Sequence, residues 1–216
     1  LCALRRANVA VLLVDPSTPP AERERIARRV GAAFDWSPGC DPTGGLLGDP
    51  VALSDPPAPD PALADIAVLK LTSGSTGDPC GIAVSAQALL ADGRALWDAM
   101  EMRGSDRFLA QIPMSHSYGF SVLTLPIRLA DTTELIDPGD EDPVDVAQRF
   151  GASVWPGTPS WFEAALRAER PMPDSVRLFV SAGAPLGAET ARAFRVRYRR
   201  PIHVFSGASE AGGSSY

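Results

Sequence analysis

Lysine and histidine are scarce in this chain of 216 residues, and cysteine is nearly as rare. Lys70 is the only lysine, so every other basic side chain is an arginine, and the two histidines are His116 and His203. The three cysteines, Cys2, Cys40 and Cys80, do not have the spacing of metal ligands, and their odd number cannot form a complete set of disulfides. This usage favours a reducing, cytoplasmic setting and gives no sign of a disulfide framework.

Positive charge and long apolar runs are also lacking. The formal net charge is −6, which argues against a nucleic-acid-binding surface, so no nucleic acid is expected as a partner. No apolar run approaches the roughly 18 residues that a membrane-spanning helix needs, and no transmembrane segment is expected. The chain starts at Leu1 without a methionine or a charged-then-apolar leader, and we therefore expect a piece of a larger domain.

Strand-like and helix-like segments alternate along most of the chain. The alternation predicts an α/β fold of layered, mostly parallel sheets flanked by helices. Strands are expected at 9–14, 66–71, 82–84, 107–112, 132–136, 152–155, 176–180 and 202–205. Helices are expected at 20–30, 85–102, 118–129, 140–150, 159–168 and 187–198. Between them, residues 37–64 are rich in Pro, Gly and Asp and predict a long exposed loop, long enough to contain short strands.

A loop without bulky side chains follows the predicted strand at 66–71. Residues 72–77 are all threonine, serine or glycine. Glycine permits turns that aim successive backbone amides at an anion, so this loop favours a polyphosphate ligand over a plain linker between strands. The P-loop pattern does not fit, because counting from Gly74 its second glycine would fall at Pro79 and its lysine at Cys80.

The stretch from Thr72 to Gly81 resembles the signature T-S-G-[ST]-T-G-x-P-K-G of the adenylate-forming enzymes, which include acyl-CoA synthetases, adenylation domains and luciferases. Every position matches except Cys80, which stands where the lysine belongs. Loss of that charge-assisted phosphate contact would cost about 1.5–3 kcal/mol unless another cation, such as a nearby arginine, replaces it. The resemblance implies that the nucleotide's phosphates are held by Thr72, Ser73, Gly74, Ser75, Thr76, Gly77 and Gly81.

Two further segments match the family downstream. Residues 113–119 match P-x-x-H-S-x-G, which implies that His116 lines the acyl pocket and contacts the carboxylate end of the substrate. Taken alone, His116 would more often be structural. Residues 183–186 match G-A-P-L, which implies that the backbone of Gly183, Ala184 and Pro185 lies along the adenine. Without the resemblance, this stretch is a turn between a strand and a helix.

A last segment, residues 206–210, is similar to the family's Y-G-x-T-E. The resemblance implies nucleotide contacts by Ser206, Gly207 and Ser209, and assigns Glu210, together with Thr72, as an oxygen ligand of Mg²⁺. Ser206 replaces a tyrosine that stacks on adenine, and serine cannot stack. Glu210 taken alone would be a surface acid. With His116, the two magnesium ligands form the expected catalytic set.

The resemblance implies ATP-dependent activation of a small carboxylic acid to an acyl-adenylate, with transfer to coenzyme A or to the pantetheine arm of a carrier protein. Residues 1–216 then form an incomplete AMP-binding N-terminal domain, without its start, its ribose-binding segment and the C-terminal domain. A degenerate, non-catalytic homologue is the alternative, because Cys80 and Ser206 depart from the motifs. A serine hydrolase is disfavoured, since no G-x-S-x-G elbow is present. In parallel sheets ligands bind at the carboxyl ends of strands, where all four loops are expected.

Overall fold

The computed structural model describes residues 10–15, 17–35, 51–52, 61–72, 80–121, 134–208 and 212–215. The chain divides into two compact units, Leu1–Ser85 and Ala86–Tyr216. Each unit is an arrangement of strands and helices, and the α/β class predicted from the sequence is confirmed.

The first unit is built on a three-stranded sheet. Strand β1 (Val11–Leu12) pairs in parallel with β4 (Ile66–Thr72), and β4 pairs antiparallel with β5 (Cys80–Ser85). A second pair, β2 (Phe34–Asp35) and β3 (Val51–Ala52), is antiparallel. Strand β3 and the 3₁₀ turn Pro61–Leu63 lie inside the stretch expected to be a long loop.

Helix α1 (Pro20–Val30) follows β1 and starts where the sequence predicts. Its N-cap residue is Pro19, which makes no side-chain hydrogen bond to the helix. Gly31 ends the helix with φ 68°, a left-handed conformation that glycine adopts without steric cost. The prolines set the start because their fixed φ suits the first turn, where no N–H partner is needed.

The second unit contains a five-stranded sheet in which every neighbouring pair is parallel. The strands are β6 (Arg107–Leu109), β7 (Glu134–Ile136), β8 (Val154–Gly157), β9 (Leu178–Ser181) and β10 (Ile202–Val204). Their order in the sheet is β10-β9-β8-β6-β7. Parallel neighbours need crossover connections, and helices supply those that the structure describes after β7, β8 and β9.

Four labelled helices belong to this unit: α2 (Ala86–Ala99), α3 (Pro143–Phe150), α4 (Pro159–Ala168) and α5 (Ala188–Tyr198). Helices α3 and α4 share a start signal, a side-chain cap followed by proline. The Asp142 carboxylate accepts hydrogen bonds from the amides of Val144 and Asp145, and the Thr158 hydroxyl accepts one from the Trp161 amide. A helical segment also covers 117–121, as far as the structure describes the predicted helix at 118–129.

Aromatic side chains form the core of the second unit. Phe162 on α4 and Phe194 on α5 pack edge-on, with ring centroids 5.3 Å apart, and Phe179 on β9 lies 5.0 Å from Phe194. All three are fully buried. Helices α4 and α5 therefore pack on one face of the sheet through a continuous aromatic layer.

The C-terminal stretch differs from the sequence expectation. Residues after β10 were predicted to form a loop, but Ser206–Ala208 (β11) and Gly212–Ser215 (β12) pair as a short antiparallel hairpin. Small residues without alternating hydrophobicity give no strand signal in the sequence. Among the described residues, no helix has the length and apolar character to cross a membrane.

Candidate active site

The carboxyl ends of three adjacent strands in the second unit are level with one another. The register pairs Gly157 of β8 with Ser181 of β9, and Ser181 with Val204 of β10. The amides of Ala182 and Phe205 extend this ladder beyond the strands, donating to the carbonyls of Gly157 and Ser181. The segments that follow β6, β9 and β10, which contain three of the four motifs, therefore leave the sheet at one edge.

Tyr118 fastens the segment after β6 to this edge. Its hydroxyl lies 2.9 Å from the carbonyl oxygen of Val180 and 3.4 Å from that of Gly157. Gln111 makes a similar attachment, donating from Nε2 to the Pro156 carbonyl over 2.7 Å. Burial raises the pKa of Tyr118 well above its ordinary value, although the Gly157 contact acts the other way, so the hydroxyl stays protonated as a donor.

Gly119 is required by close packing. A Cβ at this position would lie 2.3 Å from the carbonyl oxygen of Pro113 and 2.6 Å from that of Ile112. The turn at 113–116 closes through a hydrogen bond from the His116 amide to the Pro113 carbonyl, and the His116 carbonyl accepts from the Phe120 amide. The His116 side chain is exposed at this edge, where a ligand could reach it.

The segment after β9 exposes its backbone. Gly183 has φ +88°, which L-amino acids with a side chain rarely adopt, and no atom lies within 4 Å of the place a Cβ would take. Ala184 and Pro185 are exposed as well. The sequence argument that position 183 offers a side-chain-free surface for a flat ring is therefore compatible with the geometry.

Ser206 and Gly207 are exposed and are separated from the end of β10 by Phe205 alone. Phe205, the aromatic residue next to Ser206, is only 7% exposed, and its ring centroid lies 6.4 Å from that of Tyr118. In this arrangement Phe205 packs inward and does not present its face at the edge of the sheet.

The phosphate-loop residues belong to the first unit. Thr72 ends β4 and pairs in register with Cys80 of β5, so the two strands flank the loop between them as a hairpin. Gly81 is exposed in β5, with its nearest potential Cβ contact 3.8 Å away at Val30. Outside the described residues lie Ser73, Gly74, Ser75, Thr76, Gly77, Ser209 and Glu210.

Trp155, near the carboxyl end of β8, lies in the core and does not line the candidate site. It is 0% exposed and its ring centroid lies 4.6 Å from that of Trp161. Gly157 is also enclosed, because a Cβ there would lie 3.0 Å from the Phe162 ring. Alternation along β8 directs these two positions to the helix-covered face.

Sequence reasoning missed Ser181 and Gln111. Ser181 is 1% exposed at the end of β9, and its hydroxyl has no hydrogen-bond partner among the described residues. For Ser181, the available signal was a polar residue that ends an apolar strand two positions before the G-A-P-L motif. His203, on β10, is half-buried, and this burial lowers its pKa. Within the described part of the chain, no group of three or more His, Cys, Asp or Glu side chains could hold a metal ion.

The chain is similar to known proteins in sequence and in structure. The chain is 29% identical over 95% of its length to pyochelin synthetase PchE of Pseudomonas aeruginosa, and 28% identical over 65% of its length to a 4-coumarate–CoA ligase-like protein of Oryza sativa. It spans 15% and 28% of these two relatives.

A solved malonyl-CoA ligase, in a ternary product complex with methylmalonyl-CoA and AMP, superposes with a TM-score of 0.77 at 22% identity, covering 99% of this chain and 50% of the ligase. At this identity the superposition establishes a shared fold. The sequence model of the AMP-binding enzymes matches residues 35–216, which is most of the chain and includes all four motif segments. The chain therefore belongs to the AMP-binding enzyme family.

Proposed function

We propose that the protein containing this chain activates a carboxylic acid with ATP, forming an acyl-adenylate and pyrophosphate, and then transfers the acyl group to a thiol. The observation that carries the proposal is the family match over residues 35–216, combined with three motif segments at one edge of a parallel sheet. Binding sites in open α/β sheets lie at this edge.

The edge offers a surface suited to a nucleotide base. Gly183 leaves open space where a side chain would stand, and Ala184 and Pro185 continue an exposed backbone. A flat purine would lie against this segment, with Ser206 and Gly207 beside it. His116, exposed after the turn at 113–116, would contact the carboxylate end of the acid and line its pocket, without acting as a base.

The phosphates and the metal are assigned by the family motif. Thr72 and the five residues after it, with Gly81, would hold the phosphates, while Thr72 and Glu210 would supply oxygen ligands to Mg²⁺. Magnesium prefers oxygen donors and neutralises charge on phosphate oxygens during transfer. Ser209 would add a hydroxyl contact next to Glu210.

The thiol acceptor would be coenzyme A or the pantetheine arm of a carrier protein. Both are compatible with the relatives, one of which is a pyochelin synthetase and another a CoA ligase-like protein. We place the reaction in the cytoplasm. The chain would form part of the N-terminal domain, with a ribose-binding aspartate and a C-terminal domain supplied by sequence outside these 216 residues.

Carboxylate-dependent exchange between ATP and labelled pyrophosphate by the full-length protein tests the first half-reaction. A panel of aliphatic, aryl and amino acids should contain at least one that supports exchange above the no-acid background. Absence of exchange with every acid, although ATP binds, would contradict the proposal.

A second candidate is a homologue that binds nucleotide without turnover. Two observations favour it: Cys80 replaces the motif lysine, and neither Ser206 nor the inward-packed Phe205 offers a stacking ring. The variant Cys80→Lys separates the two candidates. Exchange by either form supports the enzyme, whereas nucleotide binding without exchange in both forms supports the non-catalytic homologue.

A further inference from the structure

Arginines are concentrated on helix α5 and just beyond its end. Residues 192–200 contain five of the chain's 20 basic residues and no acidic one, although the net charge of the chain is −6. Two of the five are close to acids of other elements: Arg197 lies 3.9 Å from Glu169, and Arg200 lies 2.8 Å from Asp174. The other three are exposed and form no ion pair within the part of the chain that the structure describes; they are Arg192, Arg195 and Arg199.

These three arginines surround one exposed apolar side chain. At 3.6 residues per turn, Arg192, Val196 and Arg199 lie within about 60° of one another around the helix axis, and Arg195 lies beside them. This side of α5 is opposite Phe194, which is fully buried, whereas Val196 is 81% exposed. We call Arg192, Arg195, Val196 and Arg199 the arginine stripe.

Helix stability accounts for only part of the stripe. Basic side chains near the end of a helix interact favourably with its dipole, which explains Arg195 and Arg199. Arg192 lies in the middle of α5, and its Nε donates only to the Ala188 carbonyl one turn earlier, over 3.3 Å. An exposed valine adds nothing to the dipole interaction. An apolar centre with a charged rim that is rich in arginine is, however, the usual composition of a protein-binding surface.

Helix α5 begins at the edge of the sheet that carries the candidate site. Residues 183–186 connect that edge to Gly187, the N-cap residue of α5. A helix of 11 residues is about 17 Å long, so a partner bound along the stripe could bring a flexible arm to the edge. Tethering a reactive group in this way raises its effective concentration at the site.

We propose that the arginine stripe is the docking surface for a carrier protein with an acidic face, whose pantetheine arm accepts the acyl group at this edge. The inference rests on the proposed function and selects between its two thiol acceptors. Charge complementarity identifies the partner, because exposed guanidinium groups attract carboxylates and steer association. Val196 favours a protein surface over the phosphates of coenzyme A, since burial of apolar area contributes to protein association.

The test compares acyl transfer by the full-length protein to a panel of acidic, pantetheine-bearing carrier proteins, to coenzyme A and to free pantetheine. Arg192→Glu/Arg195→Glu should raise KM for the carrier at least about ten-fold and leave kcat within about two-fold, because like charges oppose docking. Transfer to the two small thiols and the exchange of ATP with pyrophosphate should stay within about two-fold.

Arg94→Glu/Arg167→Glu is the matched control. Arg94 on α2 and Arg167 on α4 are exposed and form no ion pair with any residue that the structure describes. The same change in net charge at these positions should leave KM for the carrier within about two-fold. A ten-fold rise in this control as well would show an effect of net charge alone and would overturn the assignment to α5.

An unchanged KM for the carrier in folded Arg192→Glu/Arg195→Glu would overturn the proposal. An equal loss with coenzyme A would also overturn it and would assign the arginines to the phosphates of that cofactor. If DNA or anionic vesicles bind the natural protein but not the variant, while carrier transfer is unchanged, the stripe serves another polyanion and the proposal fails.

Should the variant not fold, the natural protein still decides. Raising the salt concentration from about 0.05 M to about 0.5 M should raise KM for the carrier several-fold and leave transfer to free pantetheine unchanged, because salt screens exposed charges. A carrier KM that is independent of salt would overturn the proposal. Transfer to coenzyme A but to no carrier would overturn it and leave the proposed function intact, whereas absence of exchange with every acid would contradict the proposed function itself.

Discussion

Position 119 is occupied by glycine, and the fold leaves no room there for a side chain. The carbonyl oxygens of Ile112 and Pro113 occupy that space, because the helical segment at 117–121 folds back on the end of the preceding turn. Backbone atoms cannot move aside as a flexible side chain can. The glycine of the P-x-x-H-S-x-G motif is therefore a packing requirement that positions His116.

Replacing Gly119 by alanine should lower the free energy of unfolding by about 2 kcal/mol or more, since the overpacked contact is with backbone. Chemical denaturation measures the change. Gly187→Ala is the matched control: position 187 has φ −62°, and its nearest potential Cβ contact is 3.6 Å away, so a change below about 1 kcal/mol is expected. Equal losses in both variants would contradict the packing argument.

Two partly buried tyrosines, Tyr118 and Tyr198, allow a second comparison. Tyr118→Phe removes hydrogen bonds to Val180 and Gly157, and Tyr198→Phe removes one of 3.1 Å to the Ala165 carbonyl. Each should cost about 1 kcal/mol of stability. Only Tyr118→Phe should also weaken the apparent affinity for the acid in the exchange reaction, because Tyr118 anchors the segment that carries His116. A similar effect from Tyr198→Phe would remove that distinction.

Among the elements, the amino ends of three neighbouring strands are joined by one carboxylate. Asp106 precedes β6, Ser153 precedes β8 and Arg177 precedes β9. The Ser153 hydroxyl donates to Asp106 over 2.7 Å, Arg177 pairs with the same carboxylate, and the Arg103 amide donates to it over 2.8 Å. This network holds the edge of the sheet opposite the candidate site.

Burial by itself would raise the pKa of Asp106, but hydrogen bonds from Arg177, Ser153 and the Arg103 amide, with the Arg177 charge, lower it below the ordinary value. A lowered folded-state pKa means that the carboxylate stabilises the fold above about pH 3.9 and loses this contribution as the pH falls through the folded-state value. Asp106→Asn should therefore cost about 3 kcal/mol at pH 7, and the difference from the natural protein should shrink below pH 4.

Urea unfolding of both forms at pH 7 and pH 3 measures this dependence. Asp174→Asn serves as the control, since Asp174 pairs with Arg200 at 2.8 Å but its side chain is fully exposed. It should change stability by less than about 1 kcal/mol at either pH. A cost for Asp106→Asn that is the same at pH 3 and pH 7 would contradict the assignment of the pKa shift.

Helix α5 has one face in the aromatic core and one in solvent. Phe194 is fully buried between Phe162 and Phe179, whereas Val196, two residues along, is 81% exposed. Phe194→Ala should cost about 3–5 kcal/mol by thermal or chemical unfolding, and Val196→Ala should stay within about 0.5 kcal/mol. Comparable losses would mean that α5 packs through a different face.

For the whole molecule, ligand binding should be visible as stability. A ligand present at about 100 times its dissociation constant stabilises a protein by about 2.7 kcal/mol. Both AMP and Mg·ATP should therefore raise the unfolding temperature of the full-length protein. Removing magnesium with EDTA should abolish most of the ATP effect and preserve the AMP effect, because the proposed metal would act on the outer phosphates. An ATP effect that is equal with and without magnesium would contradict the assigned metal role.

Local patterns in the sequence predicted most of the elements. Helix α4 begins and ends where expected, because Thr158 and Pro159 form a cap and a first turn within adjacent residues. The strand ends differed by a few residues: β6 is shorter than its predicted range, whereas β5 extends beyond its range at both ends. The β11–β12 hairpin was missed, because its serines and glycines carry no alternation.

The motifs, their order and the expectation of a parallel sheet came from the sequence alone, because glycine positions and hydrophobic periods are local properties. Tertiary structure decided what depends on contacts distant in sequence. Tyr118 reaches Val180 across 62 residues, Arg177 reaches Asp106 across 71, and Trp155 turns to the core rather than to a pocket. Which side chains meet is determined by strand order and by the face each residue occupies, and neither is encoded by the residues next to it in the chain.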